Sequence, residues 1–132
     1  MHPTVRFFIV GGINTTVGLL TIWLLKWLGG LSDFAANLVG YVLGVSVSFL
    51  LNRSWTFSYR GAWLPSIARF GIVVAVAYLA NLCVVLLLVQ KFGMNGYLAQ
   101  IFGIPPYTII FYVGSRYFAF RQIEAETWNP IP

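Results

Sequence analysis

Arg53 and Arg116 stand 63 residues apart, and each precedes an aromatic cluster: Trp55 and Phe57 after the first, Tyr117, Phe118 and Phe120 after the second. A guanidinium fork can hold a phosphate through paired hydrogen bonds. Arg6 and Arg69 share the same 63-residue separation, and each is followed by Phe, Phe7 and Phe70. Together the four arginines could form a cationic rim against lipid phosphates. Headgroup anchoring by snorkelling side chains explains the same residue types equally well, so both readings stay open. Asn14 and Asn81 lie inside long apolar stretches. An unpaired amide is costly in hydrocarbon, so each is expected to face protein or a polar cavity, as an interhelical bond or a ligand contact. Gly40, Gly44 and Ser48 recur every four residues. Such small residues let helix backbones approach closely, within the chain or between copies.

Other chemistries are missing from the pattern. The one histidine is His2, and the long apolar stretches hold no Asp or Glu. No membrane carboxylate is therefore available to exchange protons, which argues against a small drug–proton antiporter. No acid/base pair, metal cluster or phosphate-binding glycine loop is evident. An enzyme active site is not expected, nor is a cofactor or metal. Cys83 is the single cysteine, so neither an internal disulfide nor a thiolate metal site is available.

These side chains must be positioned by elements that live in lipid. The 132 residues are 59% hydrophobic and only 8% charged, against about a quarter charged in soluble domains. Phe7–Leu25, Phe34–Asn52, Phe70–Gln90 and Phe92–Ser115 contain no charged residue. Each is long enough to cross a hydrocarbon core of roughly 30 Å as a helix, the form that satisfies backbone groups without water. The fold class expected is an all-α integral membrane protein with four transmembrane helices. The first run lacks a small-residue cleavage signal, so a removable signal peptide is not expected. Pro105–Pro106 should kink or break the fourth helix.

The connections set the topology. Gly29–Ser32 and Phe92–Gly96 read as short turns, and Asn52–Arg69 as a longer polar segment. An even number of spans places both termini on the side of that segment, with Arg6, Arg53, Arg60, Arg69, Arg116 and Arg121. Only Lys26 and Lys91 fall opposite, with Asp33. The positive-inside bias makes the termini and central segment cytoplasmic in a multi-pass cytoplasmic (inner) membrane protein. Membrane topology explains the net charge of +5 better than nucleic-acid binding does. Trp23, Trp27, Trp55 and Tyr97 fall near the expected interfaces. The tail at 123–132 should be flexible and solvent-facing.

A shift of 63 residues aligns Arg6–Phe7 with Arg69–Phe70, Gly40 with Gly103, and Arg53, Trp55 and Phe57 with Arg116, Phe118 and Phe120. A single domain is therefore expected to contain two halves, about 6–57 and 69–120. Two-helix units preserve orientation, so these would be parallel-topology repeats.

The stretch Arg6–Phe7–Phe8–Ile9–Val10–Gly11–Gly12–Ile13–Asn14–Thr15, then Gly40, then Ser48–Phe49–Leu50–Leu51–Asn52–Arg53–Ser54–Trp55–Thr56–Phe57 resembles the GtrA-like family of small four-helix membrane proteins. Arg69–Phe70 resembles the start of its second half, and the similarity runs from Arg6 to about Arg121. Ser115 stands where the family pattern has asparagine before Arg116. This departure favours one principal site around Asn52–Arg53 with a modified partner. The resemblance implies cell-surface polysaccharide synthesis or glycosylation, through translocation of a polyprenyl-phosphate-linked sugar. On that reading Asn14, Asn52, Arg53, Asn81, Ser115 and Arg116 bind substrate, and Arg6 and Arg69 line the phosphate rim. Gly40, Gly44 and Ser48 pack helices. The alternative is a noncatalytic adaptor that positions a polyprenyl-phosphate glycosyltransferase in the membrane. Four spans leave little room for a path inside one copy, so transport would call for a homo-oligomer.

Overall fold

The computed structural model describes residues 1–121; the tail expectation lies outside the described residues. The described chain is all-α, in two compact units that divide after Ser58.

In the first unit, α1 (Pro3–Leu28) starts with His2 as N-cap and Pro3 in its first turn. Proline suits that position because no helical partner awaits its missing N–H. Lys26 lies in the last turn, where positive charge complements the helix dipole, and it pairs with Asp33 at 2.7 Å. The Ser32 hydroxyl accepts from Ala35 N–H at 3.3 Å and opens α2 (Asp33–Leu51). The helix then widens into a π-helical segment, π1 (Asn52–Thr56), closed by Phe57 N–H donating to the Asn52 carbonyl at 2.9 Å.

Ala36, Gly40, Gly44 and Ser48 form the buried face of α2, and α2 packs on α1. A β-carbon on Gly40 would lie 2.5 Å from Ile22 Cγ1 and 3.0 Å from the Gly18 carbonyl oxygen. The absent side chain is therefore what lets the helices approach this closely. Packing between copies would need this face open; α1 covers it, so the seam is internal.

The second unit begins with Tyr59, which is buried. Its α3 (Trp63–Phe92) ends at Gly93 in the left-handed region (φ 61°), and Met94 N–H returns to the Leu88 carbonyl at 3.0 Å. Asn95 accepts from Tyr97 N–H at 2.8 Å and caps α4 (Gly96–Gly114). A second π-helical segment, π2 (Ser115–Ala119), follows. Again α3 packs on α4, and a β-carbon on Gly103 would collide with the Asn81 amide and lie 3.0 Å from Val85 Cγ2.

Two expectations are corrected. Asn52–Arg69 is not one polar connection: π1 extends the second helix to Thr56, and α3 begins at Trp63. For Pro105 and Pro106 the correction is to the break alone: of the kink or break expected, α4 runs through both prolines without a break. The apolar spans including the π segments are 26, 24, 30 and 24 residues long, and only 6–28% of each apolar window is buried. At 1.5 Å per residue even the shorter helices reach about 36 Å, enough for a hydrocarbon core of roughly 30 Å.

The 63-residue shift also relates the bounds of the second helix and π segment of each unit, though not those of α1 and α3. Moving Asp33–Leu51 by that amount gives the bounds of α4, and moving Asn52–Thr56 gives those of π2. The shift carries Gly18, Ile22 and Gly40 onto Asn81, Val85 and Gly103, the residues at the corresponding close approach.

Candidate polar and cationic site

The buried face of α2 does not stop where the α-helix does. Its four-residue spacing continues through Asn52 (1% exposed) and Thr56 (2% exposed). Gly44, Ser48, Asn52 and Thr56 thus form a small, increasingly polar stripe. Asn14 meets it from α1, where a β-carbon on Gly44 would lie 2.5 Å from Asn14 Oδ1. Asn52 Nδ2 donates to Ser48 Oγ at 3.1 Å. Asn52 Oδ1 and Thr56 Oγ1 are buried and have no hydrogen-bond partner among the described residues. Turning the amide over would open its donor edge instead, so one edge of Asn52 stays unused either way.

Positive charge gathers at the same end of the unit. Arg6 Nη1 donates to the Trp55 carbonyl at 2.9 Å, and its guanidinium lies 5.4 Å from the Trp55 ring centre. This side chain holds a carbonyl that the wide π turn leaves at the helix end. Arg6 Nε is buried without a partner among the described residues. Arg53, on π1, is 8% exposed, more enclosed than a snorkelling side chain that reaches outward.

In the second unit, Arg116 Nη1 donates to Tyr112 Oη at 2.9 Å. Its guanidinium also lies 5.4 Å from the Tyr117 ring centre and 6.0 Å from that of Tyr112. Arg69 is half-buried on α3. Ser115 is fully buried, and its hydroxyl has no partner among the described residues. Asn81 sits against Gly103, about 18 Å along α4 from Ser115 at helical rise. Asn81 and Arg116 therefore do not share one immediate site. Asn14 and Asn52 meet the first seam about 12 Å apart, as the helical rise from Gly44 to Asn52 requires.

The partners of Arg6 and Arg116 are a carbonyl, a phenol and aromatic rings, all neutral. Their charge is not cancelled by those contacts. Asp33 is the one carboxylate in residues 1–121; it lies at the start of α2, about 30 Å along the helix from Arg53. Two neighbours escaped the sequence reading. Thr56 was signalled by the four-residue spacing from Ser48 through Asn52, and Tyr112 by its place four residues before Arg116. No group of three His, Cys, Asp or Glu side chains that could hold a metal occurs among the described residues.

A groove of about 440 Å³ lies elsewhere, lined by Leu20, Trp23, Leu24, Lys26 and Trp27. These residues are at the opposite end of α1 from Arg6, and the groove shares no residue with the polar stripe.

Comparison with known proteins places these residues in a family context. The model of the GtrA/DPMS transmembrane domain matches residues 6–120. A cell wall teichoic acid glycosylation protein GtcA from Listeria monocytogenes is 24% identical over 125 residues, covering 92% of this chain and 86% of the relative. Its Listeria innocua counterpart is 26% identical over 130 residues, with the same coverage. The match spans both π segments and Arg6, Arg53, Arg69 and Arg116.

Proposed function

Because the chain belongs to the GtrA/DPMS transmembrane family, and so is a multi-pass membrane protein, we propose that it translocates a polyprenyl-phosphate-linked sugar across the cytoplasmic membrane. The product would serve cell-surface polysaccharide synthesis or glycosylation, in keeping with the teichoic acid glycosylation named for its relatives. The carrying observation is cationic groups held by neutral partners at the ends of apolar helices: Arg6 on a carbonyl and Arg116 on a phenol. Such groups suit a phosphate that must be held beside hydrocarbon.

Arg53 and Arg6 form the principal phosphate site, with Asn52 and Asn14 along the adjoining seam. Arg116 and Arg69 form the modified counterpart, and Asn81 serves interhelical packing. The prenyl chain stays in lipid while the seam lowers the cost of moving the polar headgroup. This requires no bond to be made or broken, so the protein acts without catalysis. The two units are parallel-topology repeats, with both termini cytoplasmic, and the working form is a homo-oligomer.

Headgroup movement in liposomes containing only this protein tests the reading. A labelled polyprenyl-phosphate hexose should cross faster with the wild type than in protein-free liposomes, and Arg53→Gln should abolish the gain. A folded wild type that moves none of several hexose headgroups would sink transport. An adaptor that positions a polyprenyl-phosphate glycosyltransferase would then be preferred.

A further inference from the structure

The two units share a backbone pattern but differ in what fills the seam. At the 63-residue shift, Asn14 of the first unit corresponds to Ala77 of the second, Gly44 to Tyr107, and Ser48 to Phe111. Asn52 and Thr56 correspond to Ser115 and Ala119. Every one of these replacements removes a polar group, shortens it, or adds an aromatic ring. In the second unit the added rings join a continuous aromatic chain. Tyr107 lies 5.7 Å from Phe111, Phe111 lies 5.5 Å from Phe70, and Phe70 lies 5.8 Å from Phe120. Tyr59 extends the chain, with its ring centre 5.7 Å from that of Phe120.

These contacts are of the tilted and edge-to-face kinds that stabilise aromatic packing. They line the π2 end of the second seam with rings, while farther along it the Asn81 amide stands against Gly103 where the first seam has Gly18. The first seam keeps a glycine and a serine at the two ring positions, and it ends in two enclosed polar atoms without partners, Asn52 Oδ1 and Thr56 Oγ1. Ser115 also has an unpartnered hydroxyl, but its four-residue neighbours on the same face are Phe111 and Ala119. Tyr112, three residues before it, is engaged with Arg116 at 2.9 Å.

We propose that the polar headgroup is read in the first unit alone, with Thr56 and Asn52 as a pair that recognises a sugar hydroxyl. The second unit is the packed scaffold of the duplication. This assignment rests on the proposed function and adds to it a binding residue and a division of labour. With Asn52 Oδ1 as the open edge, an ionised phosphate can accept only from the Thr56 hydroxyl, whereas a sugar hydroxyl both donates and accepts and can satisfy the amide oxygen and the threonine hydroxyl together. Phosphate is left to the arginines, and the Asn52–Thr56 pair distinguishes a glycosylated lipid from a bare one.

Binding of two lipids of equal chain length to the full-length protein in nanodiscs tests the assignment: a polyprenyl-phosphate hexose (glucose, galactose and mannose forms) and unglycosylated polyprenyl phosphate. Thr56→Val, which keeps shape and removes the hydroxyl, should weaken the glycosylated lipid about tenfold and leave the bare phosphate within twofold. Thr56→Ser should restore most of the loss. Equal loss for both lipids, or no loss for either, would overturn the hydroxyl-reading role. A Ser115→Ala loss as large as that of Thr56→Val would overturn the restriction to the first unit. If the wild type binds neither lipid, the proposed function falls and this inference with it. If it binds both and only the variants behave otherwise, the inference falls alone.

Discussion

At the scale of the residue, Arg6 separates charge from geometry. Its Nη1 is committed to the Trp55 carbonyl at 2.9 Å, while its buried Nε has no partner. A lysine keeps the charge but cannot hold a carbonyl and present a second donor in one rigid plane. Arg6→Gln should therefore weaken unglycosylated polyprenyl phosphate by about tenfold to a hundredfold, the range expected when a charged hydrogen-bonding group is lost. Arg6→Lys should fall between this variant and the wild type. Its remaining affinity should decline more steeply with salt, because a mobile ammonium is screened more than a fixed, part-buried guanidinium. Titrations of both variants in nanodiscs at two ionic strengths check this. Equal affinity for Lys and Arg would reduce the role of Arg6 to charge alone.

At the scale of the element, each helix pair depends on the close approaches at Gly40 and Gly103. Gly40→Ala would place a methyl against Ile22 and a backbone carbonyl, and Gly103→Ala would place one against Asn81. Each should cost about 1–3 kcal/mol through overpacking. Gly71→Ala meets nothing within 4 Å and should be neutral or gain up to about 1 kcal/mol in helix propensity. Thermal unfolding in detergent should separate the first two variants from the third. These seams were legible as recurring small residues, and the four spans as charge-free runs. The ends were harder to read. Arg69 interrupts the apolar run, yet α3 begins upstream at Trp63, because a charge marks where lipid ends rather than where hydrogen bonding ends. The polar run Asn52–Thr56 likewise resembles a connection, while its backbone continues as π1. Pro105 and Pro106 remove two donors from α4 without ending it, as membrane helices tolerate where neighbouring groups compensate. Thr56 was passed over because its partner-seeking oxygen is visible only once the helix extends far enough to enclose it.

At the scale of the whole molecule, the proposed orientation rests on six arginines on one expected side and Lys26 and Lys91 on the other. The bias counts Lys and Arg near the ends of spans. Arg53 and Arg116 contribute to it from π segments that continue the helices, so charge that sets topology and charge proposed to hold phosphate reside in the same residues. On the proposed function this coupling makes orientation a condition of activity: an inverted copy would present its arginines to the wrong leaflet. Cysteine accessibility can decide the matter after Cys83→Ser removes the native thiol, which is itself exposed on α3. Leu31→Cys and Met94→Cys fall in the two short turns, and Ala62→Cys falls just before α3. A membrane-impermeant maleimide should label the two turn variants in intact cells and Ala62→Cys only after permeabilisation. Labelling of Ala62→Cys alone in intact cells would reverse the orientation and place the cationic end outside. On the proposed function, the arginines would then meet the headgroup at the outer face.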